Sequence, residues 1–343
     1  MLSSQLLPWV IAWIYLSGGP ASVAPVGFPP RPFDPQIASF LPEDPIVAYI
    51  QMGTAEEDEG ESSERPLRVF SWLRENGGKL LAHWLEAQLP KDLNSSERGL
   101  LNRWLEMAVV IQRSPMVFAI HVPREAVAQV RGESIRHTVC VVRAGEEPAR
   151  KLAQLAAETA SLLGLPLAER TSGARTISQV DLTGEGMRFI EFGALGDLFI
   201  FTIGRSGSSW NILDRKVANP PAWLNEARSQ LAVGQPISYL RVNHGAAGAL
   251  QLPVIAVFLF NVGLRGPYTI TTATGFDTQG FIVKHVVAFP DSRLGPLDKK
   301  NTAALRREDL QRLPSDALVA CAVRFDPDSW SEWMKEGGIL QVL

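Results

Sequence analysis

Residues 176–203 read TISQVDLTGEGMRFIEFGALGDLFIFTI, and this stretch decides the fold class. It holds three apolar runs rich in β-branched and aromatic residues: Thr176 to Leu182, Met187 to Phe192, and Asp197 to Ile203. Only short breaks carrying Gly, Thr or Asp separate them, so strand follows strand directly, which favours an antiparallel or mixed sheet over a doubly wound parallel one. Outward from there, similar runs occur at Ile46 to Met52, Met116 to Val122, Ile135 to Arg143, Ile237 to Val242, Tyr268 to Thr272, Phe281 to Phe289 and Leu318 to Phe325.

Helical periodicity falls between these runs, at Lys79 to Leu89, Glu97 to Gln112, Pro148 to Leu163, Ser208 to Lys216, Pro221 to Leu231 and Thr302 to Leu310. The Pro148 helix is the clearest. Leu152, Leu155, Thr159, Leu162 and Leu163 share a face, Pro148 suits the first turn, and Gly164 can end it. The pattern predicts an α+β protein: an antiparallel or mixed sheet with helices packed on one face.

The chain has 343 residues, of which 46% are hydrophobic and 20% charged, enough to bury a large core. A net charge of -3 without any Lys/Arg cluster speaks against nucleic acid as a partner. The longest charge run is acidic, Glu56-Glu57-Asp58-Glu59 with Glu61 and Glu64, and reads as a solvated loop; it lacks the ligand phasing of a calcium loop. Leu6 to Leu16, LLPWVIAWIYL, is an uncharged apolar run of signal-peptide length, and the small residues Gly18, Gly19, Ala21, Ser22 and Ala24 offer cleavage after Ala21 or Ala24. No Lys or Arg precedes the run, so an uncleaved N-terminal membrane anchor is the alternative. The domain layout expected is 1–24 as signal peptide or anchor, 25–36 as a Pro-rich linker, 37–312 as the main domain, and 313–343 as the start of a second unit or the closing strand and helix of the first. A second apolar run, Val242 to Leu264, carries scattered polar residues and reads as a core helix. Cys140 and Cys321 each sit in a strand-like run as small core residues, and whether they pair is open.

Two internal echoes stand out. Leu80-Leu81-Ala82-His83-Trp84-Leu85-Glu86 matches Leu100-Leu101-Asn102-Arg103-Trp104-Leu105-Glu106, which reads as a helix pair packing its Trp and Leu residues. Leu41-Pro42-Glu43-Asp44-Pro45-Ile46-Val47-Ala48 matches Leu313-Pro314-Ser315-Asp316-Ala317-Leu318-Val319-Ala320. In that frame Pro fixes an extended approach, Asp bonds the turn backbone, and the apolar run enters a sheet; its recurrence suggests repeated units. On this frame the chain resembles an uncharacterised family of exported bacterial proteins, a domain of unknown function with recurring Leu-Pro-x-Asp strand starts. The resemblance covers roughly Phe40 to Leu343, including Leu195 to Thr202, Pro236 to Asn243 and Thr274 to Phe281. It implies export and no particular reaction.

Motifs that carry chemistry are few. His83, His121, His137, His244 and His285 are dispersed and lack metal-site spacing; His121 with Glu125 reads as a surface or capping pair, and His137 and His285 as facing solvent or a satisfied polar pocket. No P-loop and no Gly-x-Gly-x-x-Gly fingerprint follows a strand, so no nucleotide and no other cofactor is expected. Gly204-Arg205-Ser206-Gly207-Ser208 resembles a nucleophile elbow, but Ser208 replaces its last glycine. The same residues suit an anion: Arg205, Ser206, Gly207 and Ser208 precede a helix whose first N–H groups lack helical partners, although capping alone also accounts for the serines. Asp326 and Asp328 read as caps for the helix through Trp330 and Trp333. The function expected is that of an exported, non-enzymatic cell-envelope protein, structural or binding an envelope protein or lipid. The alternatives are an envelope hydrolase with a site assembled from distant residues, and a lipid or amphiphile carrier.

Overall fold

The computed structural model describes residues 30–54, 95–121, 137–172, 175–182, 188–209, 219–243, 269–277 and 280–288. The expectations placed on the N-terminal run, the acidic run, the apolar run from His244 to Leu264, Trp84, Cys321, the Leu313 frame and Asp326 with Asp328 lie outside these residues. By internal contacts the chain divides into one unit of residues 1–242 with 270–286 and another of 243–269 with 287–343. Nearly all described residues belong to the first.

That unit is built on a ten-stranded sheet. In chain order the elements are α1 (Pro35–Ala38), β1 (Val47–Gln51), α2 (Ser95–Arg113), β2 (Met116–His121), β3 (His137–Arg143), α3 (Glu146–Leu162), β4 (Leu167–Ser172), β5 (Arg175–Asp181), β6 (Phe189–Leu195), β7 (Leu198–Gly204), α4 (Ala222–Gln230), β8 (Gln235–Asn243), β9 (Thr269–Asp277) and β10 (Gly280–Ala288). Across the sheet the order is β10-β9-β8-β1-β2-β3-β7-β6-β5-β4. From β8 through to β4 every neighbouring pair is antiparallel. The α+β reading therefore holds. The stretch at 176–203 supplies β5, β6 and β7, an uninterrupted meander; Gly196, at φ +58°, makes the tight turn that pairs Leu195 with Leu198.

Helices on one face, however, is a reading the structure corrects: both faces are covered. Ala48, Ile50, Val117, Ala119, Val139, Val141 and Ile200 point to one face, where they pack with Ile37 and Ala38 of α1 and Trp223, Leu224 and Ala227 of α4. Tyr49, Met116, Val142, Val180, Ile190, Phe192 and Phe199 point to the other, against Leu100, Met107 and Ile111 of α2 and Ala149, Leu152 and Leu155 of α3. Alternation along each strand forces this division, and the near-continuous apolar runs of β2, β3 and β7 are the mark of strands buried on both sides. Leu152 is fully buried, a placement that contributes about 2 kcal/mol over leaving it in water. Leu162, expected on the buried stripe of α3, is 42% exposed because the helix ends there, closed by Gly164 at φ +67°.

The Pro-rich linker expected at 25–36 carries structure in its second half. Pro30 bridges to Thr54, and Asp34 caps α1 through Oδ1, which accepts from the backbone N–H groups of Gln36 at 2.9 Å and Ile37 at 3.2 Å, with Pro35 in the first turn. Arg143 of β3 reaches across to this cap, pairing with Asp34 and donating to Gln36 Oε1 at 2.8 Å.

The Leu-Pro-x-Asp frame does more than lead into β1. Its Pro42 carbonyl accepts from Trp223 Nε1 at 3.0 Å and its Glu43 Oε2 accepts from the Ala222 backbone N–H at 3.1 Å, at the start of α4. A carboxylate there satisfies an N–H that the helix leaves open and complements the positive end of its dipole. Further along, Gln51 serves α2 in the opposite sense: its buried Nε2 donates to the carbonyls of Ile111 and Ser114, both at 2.8 Å, where the helix runs out.

Candidate functional site

A buried polar cluster grows out of the β5-β6-β7 meander. Registers place Gln179 opposite Glu191 and Glu191 opposite Thr202, so three polar side chains line up across three strands on the face that also carries Val139. Gln179 is 8% exposed, Glu191 1% and Thr202 not at all. Beyond Gly204 the chain turns through Arg205, Ser206 and Gly207 and starts a helix at Ser208, laying its backbone over that row.

The consequence is a carboxylate held from all sides. Glu191 Oε1 accepts from the Gly207 backbone N–H at 2.5 Å and from Gln179 Nε2 at 3.0 Å. Its Oε2 accepts from the Ser209 backbone N–H at 2.9 Å and from Ser209 Oγ at 2.7 Å. A carboxylate has about four good acceptor positions, and all four are filled. Two donors are backbone amides at the opening of a helix, where the dipole favours negative charge. Burying a carboxylate away from water is tolerated only with such compensation.

The anion-binding residues read from the sequence are brought together here, each with an assignable role. Gly207 gives its amide to Glu191. Ser208 is buried and turns its Oγ to the Arg205 carbonyl at 2.5 Å. Ser206 is exposed, and its Oγ accepts from Gln179 Nε2 at 2.9 Å and from the guanidinium of Arg170 on β4. The anion in contact with this turn is the protein's own Glu191, which the sequence reading passed over. The signal was present: a lone carboxylate inside the apolar run Phe189-Ile190-Glu191-Phe192 has to find partners within the fold.

For a serine nucleophile the hydroxyl must donate to a base. Ser206 Oγ accepts from Arg170 and Gln179, which leaves its own hydrogen available, while Ser208 Oγ donates to the Arg205 carbonyl. Gly204 leaves no room for a substituent: a Cβ there would stand 2.8 Å from Ser208 Oγ and 3.1 Å from the His137 ring.

That ring belongs to a second polar feature on the same face. His137 and His121 are direct cross-strand partners, their rings edge to face with centroids 5.6 Å apart. His121 is 8% exposed, which corrects its reading as a surface residue; the antiparallel register of β2 and β3 turns it inward. His285, by contrast, sits exposed on β10 with Nδ1 2.9 Å from Thr272 Oγ1. Among the described residues no three His, Cys, Asp or Glu side chains come together as a metal-binding group. Cys140 lies on β3 opposite Phe118 and Phe201, and burial pushes its thiol up to about 12. Among the described helices none is long and apolar enough to cross a membrane.

No protein-family model, no curated protein and no solved structure matches this chain. What defines the protein is thus its own architecture: an α+β unit with a broad antiparallel sheet, helices on both faces and a saturated internal carboxylate.

Proposed function

We propose that the chain is an exported, non-enzymatic protein of the cell envelope, periplasmic or at the cell surface, that acts by holding a partner or as a structural component. The observation that carries this reading is the run Leu6 to Leu16 followed at once by Gly18, Gly19, Ala21, Ser22 and Ala24. Support comes from the polar cluster, where Glu191 accepts three hydrogen bonds from the 204–209 turn and a fourth from Gln179. The partner is an envelope protein or lipid, and the N-terminal run, if uncleaved, serves as a membrane anchor. The chain belongs, in this reading, with the exported family marked by Leu-Pro-x-Asp strand starts. Repeated units are part of the proposal, marked by the Leu41 to Ala48 frame and its echo at Leu313 to Ala320.

The test is native mass spectrometry of the full-length product recovered gently from a bacterial envelope fraction. A mature mass beginning after Ala21 or Ala24, or the intact chain held in the membrane fraction, with a retained protein or lipid, is the expected result. A full-length chain found only in the cytoplasm overturns export. A bare mature monomer overturns the stable partner.

A further inference from the structure

We draw no further inference here: the strongest candidate, the exposed leucine corner at the α3–β4 turn where Leu162 and Leu167 stand beside the terminal strand of the sheet, carries nothing, because nothing in the structure shows what covers it.

Discussion

Glu191 shows how much one side chain can commit. Replacing it with alanine strips the partner from two backbone N–H groups, a serine hydroxyl and the Gln179 amide at once, at a position that is 1% exposed. The expected loss is about 2–4 kcal/mol, read by urea unfolding. Glu191→Gln should recover only part, since its amide brings hydrogens toward donors. Ser206→Ala, at an exposed position in the same turn, should stay within about 0.5 kcal/mol. If the two positions cost the same, the carboxylate is not what holds the turn. Burial acts on proton affinity as well. The Cys140 thiol is raised from 9.0 to about 12, and the Tyr49 and Tyr239 hydroxyls are raised by the same cause. A raised folded pKa stabilises below the unfolded value and loses that contribution as pH climbs toward the folded one. Stability should therefore fall from about pH 9 to 12, and Cys140→Ala should flatten the first part of that fall in a pH series of thermal melts. The residue-scale features legible in the sequence were those that act locally, such as Gly164 closing α3 and the core setting of Cys140. Glu191 and His121 were not, because their partners arrive through strand register from residues distant in the chain.

Among the elements, strands announced themselves when both faces were apolar. Met116 to His121 and Leu198 to Gly204 were found within a residue or two for that reason. Leu167 to Ser172 was missed: β4 is the terminal strand and exposes both faces, so it carries no apolar period to read. The Leu-Pro-x-Asp frame was legible as punctuation but not as a clamp on α4, which lies far along the chain. That clamp can be tested. Trp223→Phe removes the indole bond to the Pro42 carbonyl and should cost about 1 kcal/mol, whereas Trp223→Ala also empties a core site and should cost about 3–5 kcal/mol in the same denaturation assay. Equal losses would mean that the indole N–H contributes nothing. Where β1 ends, Gly53 takes φ +74°, and a Cβ would stand 2.6 Å from the Arg113 carbonyl and 2.7 Å from the Pro115 nitrogen. Gly53→Ala has no relaxed alternative between two backbone segments, so a loss of about 2 kcal/mol or more is expected; an unchanged midpoint would show that the turn can move.

At the scale of the whole molecule, the sequence carried an antiparallel or mixed sheet with helices, but not its strand order. Strand neighbours along the chain pair directly in β5 through β7. The long-range contact of β1 with β8 joins Val47 to Val242, and no local pattern encodes that choice. It arises because each strand has a hydrogen-bonding edge to complete and only the global arrangement sets which one completes it. The expected outcome of cutting the chain before β8 is correspondingly severe. A product ending at Asn219 would expose the free edge of β1 and the face left by α4, and should be recovered as aggregate or as a collapsed form without a cooperative melt. A soluble, sharply melting fragment would show instead that β1 through β7 is self-sufficient.

The same pairing fixes a chronology. As the chain emerges during synthesis, β1 comes first among the sheet strands and β8 only after β2 through β7 have all appeared. The β1–β8 seam therefore stays open until all of these strands have been made, and until then the growing polypeptide carries an open hydrogen-bonding edge on β1. The early strands thus wait on contacts supplied far along the sequence, which makes this sheet slow to complete compared with a meander of chain neighbours.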